Sequence, residues 1–225
     1  MGINGLIHKY LVLCEGIHDA EFLRHLGKTR GLPDFQCEPC GNISGDQSNG
    51  ISHLTRALNA LPALDGFSSL KTITIMADND ANPSGSFSEV CRLINGTDAF
   101  GQGRRYTAPA DPLVKAGTNP AIIVMMVPWR NVPGALDCLC LTAAASAFPA
   151  TASCVETFSQ CAGVEGWGSR TKISKMKLHS LIAATHEKNP GLSPAWVWSE
   201  QTNIVPLDNS VFDQIATFLR SDALV

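Results

Sequence analysis

Three continuous apolar runs contrast with the polar segments that separate them. They read KYLVLCE from Lys9, KTITIMAD from Lys71 and AIIVMMVP from Ala121, and a shorter, more polar run, DFQCEPC from Asp34, lies between the first two. Continuous apolar runs of this length are typical of strands that are buried on both faces of a parallel sheet. The pattern therefore predicts three buried strands and one short additional strand.

Between and after these runs, apolar residues recur every three or four positions, which is the period of an amphipathic helix. Leu54, Leu58 and Leu61, for example, share one face of a predicted helix. Predicted helices cover residues 19–26, 52–64, 86–94, 134–145, 153–162, 172–187 and 210–220. Ser86 and Glu89 have the spacing of a capping box and predict the start of the third helix.

The alternation of strands and helices predicts the fold class. Repeated strand–helix units favour an α/β protein with a mainly parallel central sheet, right-handed crossovers and flanking helices. The C-terminal portion is predicted to be helical. We expect a single domain over residues 1–225, with its core at about 8–145 and a helical C-terminal extension at about 150–225.

Composition and charge narrow the location and the partners of the protein. No apolar run approaches the roughly 20 residues that a membrane helix needs, and the opening MGINGLIHKY lacks the layout of a signal peptide. We therefore expect a cytoplasmic protein without a membrane partner. The net charge of −3 argues against a protein that grips long nucleic acid unaided. A local basic run is nevertheless present, comprising Arg170, Lys172, Lys175 and Lys177.

Eight cysteines include one pair, Cys37 and Cys40 in CEPC, with the spacing of a metal or redox site. A zinc site needs a second pair of ligands, and no matching CxxC or HxxxH follows. We interpret the pair as reduced thiols in a surface turn, as expected for a cytosolic protein.

Acidic residues stand where two predicted strands end. Glu15 follows the first strand and Asp19 lies one helical turn later, while Asp78 and Asp80 end the third strand. Functional groups gather where the carboxyl ends of parallel strands meet the following loops. Four carboxylates brought together repel one another unless a cation is present, and Mg²⁺ binds through such oxygens. The sequence therefore predicts a magnesium site at this edge of the sheet, with Mn²⁺ as an alternative.

Two other interpretations of these acids are open. DNDANPSGSFSE, from Asp78 to Glu89, has oxygen ligands at EF-hand positions, but Pro83 stands where that loop needs glycine and a strand precedes it. Each acid taken alone also fits a helix cap or a favourable interaction with a helix dipole. Gly16 beside Glu15 favours a functional role, because it suggests a close backbone approach or an unusual dihedral.

The order of these motifs resembles a known domain. A strand ending in Glu-Gly, with Asp three residues after the glycine, and a later strand ending in Asp-x-Asp are similar to the Toprim domain of topoisomerases, primases and OLD-family nucleases. The later segments VMMVPWRNVPGALD, SKMKLHSLIAATHEKNPG and VPLDNSVFDQIATFL resemble, in that order, a stand-alone Toprim-related family, DUF3226. The resemblance covers most of the chain and implies a Toprim-like Rossmannoid fold.

The resemblance also implies roles for individual residues. Glu15 would be the general acid/base or a metal ligand, and Asp78 and Asp80 would hold Mg²⁺. OLD-type nucleases imply a second metal held partly by Asp19 and Asp137. Asp137 departs from the family pattern, which generally has Glu at this position. An acid in the first turn of a helix, favoured by the helix dipole, explains Asp137 equally well.

A lysine that stabilises the transition state is implied as well. Lys175 is the nearest candidate, and Lys172 and Lys177 compete with it. The only tyrosines, Tyr10 and Tyr106, have no topoisomerase context, which argues against strand passage.

Three functions follow as hypotheses. The first is a Mg²⁺-dependent nuclease acting on DNA or RNA with a separate ATPase, because the chain has no GxxxxGK[ST] loop. The second is a non-catalytic metal- or nucleotide-binding regulatory module, and the third is an enzyme acting on a small phosphorylated nucleotide. Assembly into a homo-oligomer stays open.

Aromatic and imidazole side chains receive structural interpretations. Trp167, Trp196 and Trp198 are expected to pack in a core or an interface, with base stacking as the alternative. The histidines show no paired ligand spacing, and His18, between Glu15 and Asp19, is the one that merits a test.

Overall fold

Four parallel strands form one sheet at the centre of the computed structural model, which describes residues 5–45, 50–100, 105–200 and 202–221. They are β1 (Tyr10–Cys14), β2 (Gln36–Pro39), β3 (Thr72–Asp78) and β4 (Ala121–Val127), in the order β2-β1-β3-β4. Each neighbouring pair is parallel. The prediction of an α/β protein with a parallel central sheet is confirmed.

Eight α-helices are found within the described ranges. They are α1 (Ile17–Arg30), α2 (Cys40–Ser44), α3 (Leu54–Ala60), α4 (Pro83–Asn95), α5 (Leu136–Ala147), α6 (Pro149–Cys161), α7 (Arg170–Thr185) and α8 (Asp213–Arg220). Helices α1, α5, α7 and α8 contribute to one hydrophobic cluster with the sheet, and α2, α3 and α4 contribute to another. The sheet is therefore covered on both faces, which explains its continuous apolar strands.

Side chains of each strand alternate between these two clusters. Leu11 and Leu13 of β1 belong to the cluster with α3 and α4, whereas Val12 and Cys14 belong to the cluster with α1 and α7. All four are fully buried. The period of two explains why the β1 sequence must be apolar at every position.

The strand order creates a switch point between β1 and β3. The chain leaves β1 to form β2 on one side, and then returns to form β3 on the other side of β1. Neighbouring crossovers therefore cover opposite faces, and open α/β sheets generally bind ligands outside the carboxyl ends of strands at such a point. Glu15 follows β1 and Asp78 ends β3 at this switch point.

The C-terminal helices pack against the sheet itself. Leu178 of α7 and Phe212, just before α8, are fully buried in the same cluster as Val12 of β1. Phe22 of α1 packs on the Phe212 ring with centroids 5.1 Å apart. Truncating a side chain buried in this way typically costs about 2–5 kcal/mol of unfolding free energy.

Most predicted elements are present with shifted ends, and one local prediction is wrong. Helix α4 begins at Pro83, where Asn82 caps it by accepting a hydrogen bond from the Gly85 N–H at 3.2 Å. Ser86 is therefore inside the helix, and the predicted capping box does not form. Proline at the first helical position and asparagine before it are both favourable at a helix start, which explains the earlier start.

Within the described ranges, no helix combines the length and the apolar character that crossing a lipid bilayer requires.

Candidate functional site

Glu15 and Asp78 meet at the switch point. The Oε1 atom of Glu15 accepts a hydrogen bond from the backbone N–H of Asp78 at 3.1 Å, so the ends of β1 and β3 are joined through a carboxylate. Asp78 in turn accepts a hydrogen bond at Oδ1 from the N–H of Leu136, at the start of α5, at 3.1 Å. Two of the predicted site residues are thus brought into direct contact.

Asp19 lies beside this pair in the first turn of α1. Its Oδ2 atom accepts a hydrogen bond from the backbone N–H of Gly16 at 2.9 Å. Gly16 has φ −148° and ψ 179°, an extended conformation open to any residue, so the predicted unusual dihedral is wrong. Asp19 has the helix-start role that the alternative interpretation assigned to it, and it also faces the other acids.

Asp80 is held at the rim by its backbone. Its N–H donates to the Gly134 carbonyl at 2.8 Å, and the Gly134 N–H donates to the Asp80 carbonyl at 2.7 Å. Asp80 itself has a positive φ of 49°. Its exposed side chain accepts a hydrogen bond from the Thr171 hydroxyl at 3.4 Å, which places the start of α7 at the same rim.

Gly134 cannot be replaced freely in this arrangement. Its φ is +133°, and an added Cβ would lie 3.0 Å from both the Cys138 sulfur and the Pro128 Cγ. Both the backbone conformation and the space therefore require glycine. This requirement explains the glycine three residues before Asp137 in the sequence.

Asn79 is a structural residue of the site that sequence reasoning missed. It is fully buried, and its Nδ2 donates to the carbonyls of Arg130 at 2.6 Å and Val132 at 2.8 Å. These bonds tie the loop after β4 to the end of β3. The sequence does show a polar residue directly between two candidate acids. Its partners, however, are backbone carbonyls about 50 residues away, and a carbonyl is present whatever the side chain, so the sequence does not identify them.

Asp137 lies in the first turn of α5 and is 9% exposed. Its Oδ1 has no hydrogen-bond partner within the described residues and lies 3.8 Å from His18 Nδ1. The His18 ring stacks on Trp198, with centroids 5.6 Å apart, and its Nε2 also lacks a partner in the described part of the chain. A buried acceptor of this kind is costly unless a ligand or solvent satisfies it.

The three candidate lysines of α7 differ in position. Lys175 lines a cavity of about 130 Å³ together with His18, Asp137 and His179. Lys177 instead donates to Glu156 at 2.8 Å and to Glu165 at 2.9 Å, on the side of α7 that packs on α6. Lys172 is exposed near the start of the helix. Of the three, Lys175 is the lysine that lines a cavity with a candidate acid.

The electrostatics of the acids reflect their burial and proximity. Burial raises the pKa of Asp19 to about 7, and the Glu15 and Asp137 carboxylates add to the shift. Burial, followed by Asp19 and Glu15, raises the pKa of Asp78 well above its ordinary value. Burial and the Asp80 carboxylate also raise the pKa of Glu15. Deprotonation of each of these carboxyl groups therefore makes deprotonation of the others less favourable.

The pKa of His18 shifts in the opposite direction. Burial lowers its pKa to about 4, and Lys175 and His179 oppose protonation further, although Asp137 favours it. The imidazole is therefore neutral at pH 7 and does not neutralise the acids.

The acids at the switch point are donors of the type that hard divalent cations take. Carboxylate oxygens are the ligands that Mg²⁺ prefers, the acids raise one another's pKa, and Asp137 Oδ1 is an unsatisfied acceptor. In the described ranges, however, no three His, Cys, Asp or Glu side chains are grouped so that they could hold a metal ion. Glu15, Asp19 and Asp78 each accept a backbone N–H instead, and a cation would compete with these bonds.

The two remaining metal interpretations find no support in the geometry. Cys37 and Cys40 are both buried, not in a surface turn as predicted, and belong to opposite hydrophobic clusters of the sheet. Burial raises the pKa of the Cys40 thiol to about 12, so it is an inert thiol. Glu89, the twelfth residue of the EF-hand-like loop, pairs with Arg92 at 2.6 Å on the exposed side of α4.

Comparison with known proteins identifies the family of this chain. No curated protein matches the chain, and no solved structure matches it. The family model described as "Protein of unknown function (DUF3226)" matches residues 9–222, a range that includes every candidate site residue. The chain therefore belongs to the DUF3226 family.

Proposed function

We propose that this protein carries out Mg²⁺-dependent phosphodiester chemistry on nucleic acid, as a nuclease of the Toprim type. The observation that carries the proposal is the contact of Glu15 with the end of β3 at Asp78, with Asp19 and Asp137 close enough to raise the pKa values of the group. Acids kept together at this cost are typical of sites that use them. Location at the switch point of a parallel sheet supports the same conclusion.

The residues that would hold the metal are the acids around the switch point: Glu15, Asp19, Asp78, Asp80 and Asp137. When bound, Mg²⁺ or Mn²⁺ supplies positive charge that stabilises the attacking and leaving oxygens of an in-line displacement. The raised pKa values of Asp19 and Asp78 support this assignment, because a cation would relieve the mutual repulsion that causes part of the shift.

Glu15 would act in proton transfer. Phosphodiester hydrolysis removes a proton from the attacking water and delivers one to the leaving oxygen. Burial raises the pKa of Glu15, which favours a carboxyl group that can both hold and release a proton. Its hydrogen bond from the Asp78 N–H holds the carboxylate in place next to the other acids.

Lys175 would stabilise the negative charge that develops on the phosphoryl oxygens. Its position at the cavity beside Asp137 supports this role. The ion pairs of Lys177 with Glu156 and Glu165 make that lysine a poor candidate. Turnover on long DNA would depend on a separate partner, and an ATPase partner is part of the proposal because the chain lacks its own phosphate-binding loop.

The deciding experiment is cleavage by the purified protein. Plasmid, single-stranded DNA, RNA and dinucleotides are incubated with Mg²⁺, Mn²⁺ or EDTA, with wild type and with Glu15→Gln. We expect cleavage in the presence of metal that falls by about 10²–10⁴-fold in the variant. Cleavage in EDTA, or equal activity of Glu15→Gln, would contradict the proposal.

A non-catalytic metal-binding module is the second candidate. The observation that favours it is the set of backbone hydrogen bonds that already satisfy Glu15, Asp19 and Asp78. Isothermal titration with Mg²⁺ separates the two: binding without turnover on any of the four substrates supports the module. Cleavage of the dinucleotides alone would point to a small phosphorylated nucleotide as substrate.

A further inference from the structure

His18 faces Asp137 at the edge of the candidate site. Its Nδ1 atom lies 3.8 Å from Asp137 Oδ1. Among the basic side chains of the described ranges, His18 alone makes a contact of this kind with Asp137. Oδ1 is buried and has no hydrogen-bond partner in those ranges, so the imidazole is the polar group placed to satisfy it.

The positions of the two residues in their helices explain this contact. His18 is the second residue of α1, directly before Asp19, and Asp137 is the second residue of α5. Both helices begin at the edge of the sheet where the acids lie, so the contact joins two helix starts. The proposed function uses the acids and Lys175 and leaves His18 without a role.

Trp198 holds the imidazole ring of His18 in place. The two rings are stacked, with an interplanar angle of 19° and centroids 5.6 Å apart, and the indole Nε1 donates to the Val205 carbonyl at 3.0 Å. Trp167 and Trp196, by contrast, are 53% and 48% exposed and do not pack in the core. The stack restricts the orientation of the imidazole and therefore the direction in which Nδ1 points.

Asp137 differs from the neighbouring acids in the way its carboxylate is oriented. Backbone N–H groups donate to Glu15, Asp19 and Asp78 and fix their carboxylates. No such group donates to Asp137 Oδ1 in the described ranges. Hydrogen bonds to a carboxylate that binds a metal orient that carboxylate, so a side chain has to supply the donor at this position.

The imidazole of His18 is suited to this task. The separation of 3.8 Å is longer than an N–H···O hydrogen bond, which spans about 2.7–3.2 Å, so a movement of about 1 Å closes it. Nδ1 is a donor in one neutral tautomer and in the imidazolium, so donation is available in either charge state of the ring.

We propose that His18 is a positioning residue of the site: its Nδ1–H donates to Asp137 Oδ1 and fixes the orientation in which Asp137 presents its other oxygen to a cation. The use of that oxygen rests on the proposed function. The hydrogen bond between the two side chains does not, and it is tested separately.

The hydrogen bond is tested by NMR on the metal-free protein at pH 8 in EDTA. Long-range ¹H–¹⁵N correlation spectra of the imidazole rings show which ring nitrogen carries the proton, and the His18 signals are those that disappear in His18→Phe. We expect the proton on Nδ1 in wild type and a loss of this preference in Asp137→Ala, which lacks the acceptor. A proton on Nε2 in wild type, or an unchanged preference in Asp137→Ala, would overturn the proposal.

Isothermal titration with Mg²⁺ measures the consequence for cation binding. His18→Phe keeps a ring against Trp198 but has no donor, and it should weaken binding by about 10–100-fold. His18→Asn loses the ring but keeps an amide N–H near the position of Nδ1, and it should retain most of the affinity. His25→Phe is the matched control in α1, because His25 contacts the same Trp198 and lies beside Glu21, away from Asp137.

A double-mutant cycle separates positioning from a general effect on the structure. If His18 acts through Asp137, His18→Phe should cause no further loss of Mg²⁺ affinity in the Asp137→Ala background. Equal losses in the two backgrounds, wild-type affinity in His18→Phe, or equal losses in His18→Phe and His18→Asn would each contradict the positioning role.

The outcomes distinguish this inference from the proposed function. Metal-dependent cleavage by wild type, together with unchanged Mg²⁺ affinity in His18→Phe, rejects the role of His18 and leaves the nuclease standing. Mg²⁺ binding without cleavage rejects the nuclease and leaves the affinity test of His18 valid. If wild type binds no Mg²⁺, the proposed function is rejected, and the NMR spectra alone decide whether His18 holds Asp137.

Discussion

The acids at the switch point and three acids on the surface have different kinds of partner. On the surface, Glu89 pairs with Arg92, and Glu156 and Glu165 pair with Lys177. At the switch point, Glu15 and Asp78 form no ion pair with lysine or arginine in the described ranges, and backbone N–H groups are their partners. These three surface acids therefore have cationic partners where water already screens charge, whereas Glu15 and Asp78 have none where burial makes charge most costly.

This difference indicates what the inner acids are for. Surface ion pairs contribute little to stability, and a buried acid without a cation lowers stability at neutral pH. Buried acids of this kind are typical of functional sites, and the proposed Mg²⁺ would account for them. The following predictions test the contrast, beginning with the largest expected effect.

Two of the three lysines of α7, Lys175 and Lys177, should differ in their effect on the cleavage rate. Lys175→Ala should lower the cleavage rate by about 10²–10³-fold, because a donor aimed at developing charge is lost. Lys177→Ala is the matched control on the same helix and should keep the wild-type rate, since its partners are Glu156 and Glu165. Steady-state rates of both variants provide the measurement, and an equal loss in the two would contradict the assignment.

Gly134→Ala should destabilise the rim that carries Asp80. A Cβ at φ +133° is strained and lies 3.0 Å from Pro128 and Cys138 atoms, so we expect a loss of about 1–3 kcal/mol in unfolding free energy. Gly166→Ala is the control, because its Cβ meets no atom within 4 Å. Urea denaturation measures both, and similar stability of the two variants would show that the contact is not tight.

Asp19→Asn should stabilise the metal-free protein. The amide oxygen can still accept the Gly16 N–H, while the buried charge is removed. Burial raises the Asp19 pKa to about 7, above the roughly 4 expected of an unfolded chain. The wild type therefore loses stability as pH rises between these values, and the advantage of the variant should grow across this window by a few kcal/mol, at about 1.4 kcal/mol per pKa unit.

Denaturation in EDTA at pH 4.5 and pH 8 measures this advantage. Glu89→Gln is the matched control: the same chemical change on an exposed, paired acid should leave the melting temperature unchanged or slightly lower at both pH values. If Mg²⁺ binds as proposed, it should stabilise wild type at pH 8 more than Asp19→Asn. A variant that is less stable than wild type at pH 8 would show that Asp19 is not under electrostatic strain.

Much of the fold could be predicted from local patterns. The β3 strand was predicted at 71–78 and is found at Thr72–Asp78, because its β-branched and apolar residues suit a strand and six of its seven residues are buried. Helix ends were less predictable. The α4 start depends on Asn82 and Pro83, whose capping role competes with the equally regular Ser86 and Glu89 pair. Spacing alone does not decide between two capping patterns that overlap.

The candidate site was predictable in its acids but not in its supporting residues. Glu15 and Asp78 follow apolar runs and parallel strands bring such ends together, so their meeting could be expected. Asn79 bonds to carbonyls of the loop after β4, and backbone acceptors carry no sequence signal. CEPC also has the same spacing whether its thiols share a turn or face opposite sides of the sheet, and here burial in two clusters separates them.

The sequence by itself determined the strands, most of the helices and the placement of acids at two strand ends, because hydrophobic period and element order are local properties of the chain. The tertiary structure alone decided which lysine lies beside Asp137, which tryptophans stay exposed and how closely the acids approach one another. Those features depend on how α5, α7 and the segment around Trp196 pack against the sheet. Such packing joins residues more than 100 positions apart, and no local pattern encodes the distance between them.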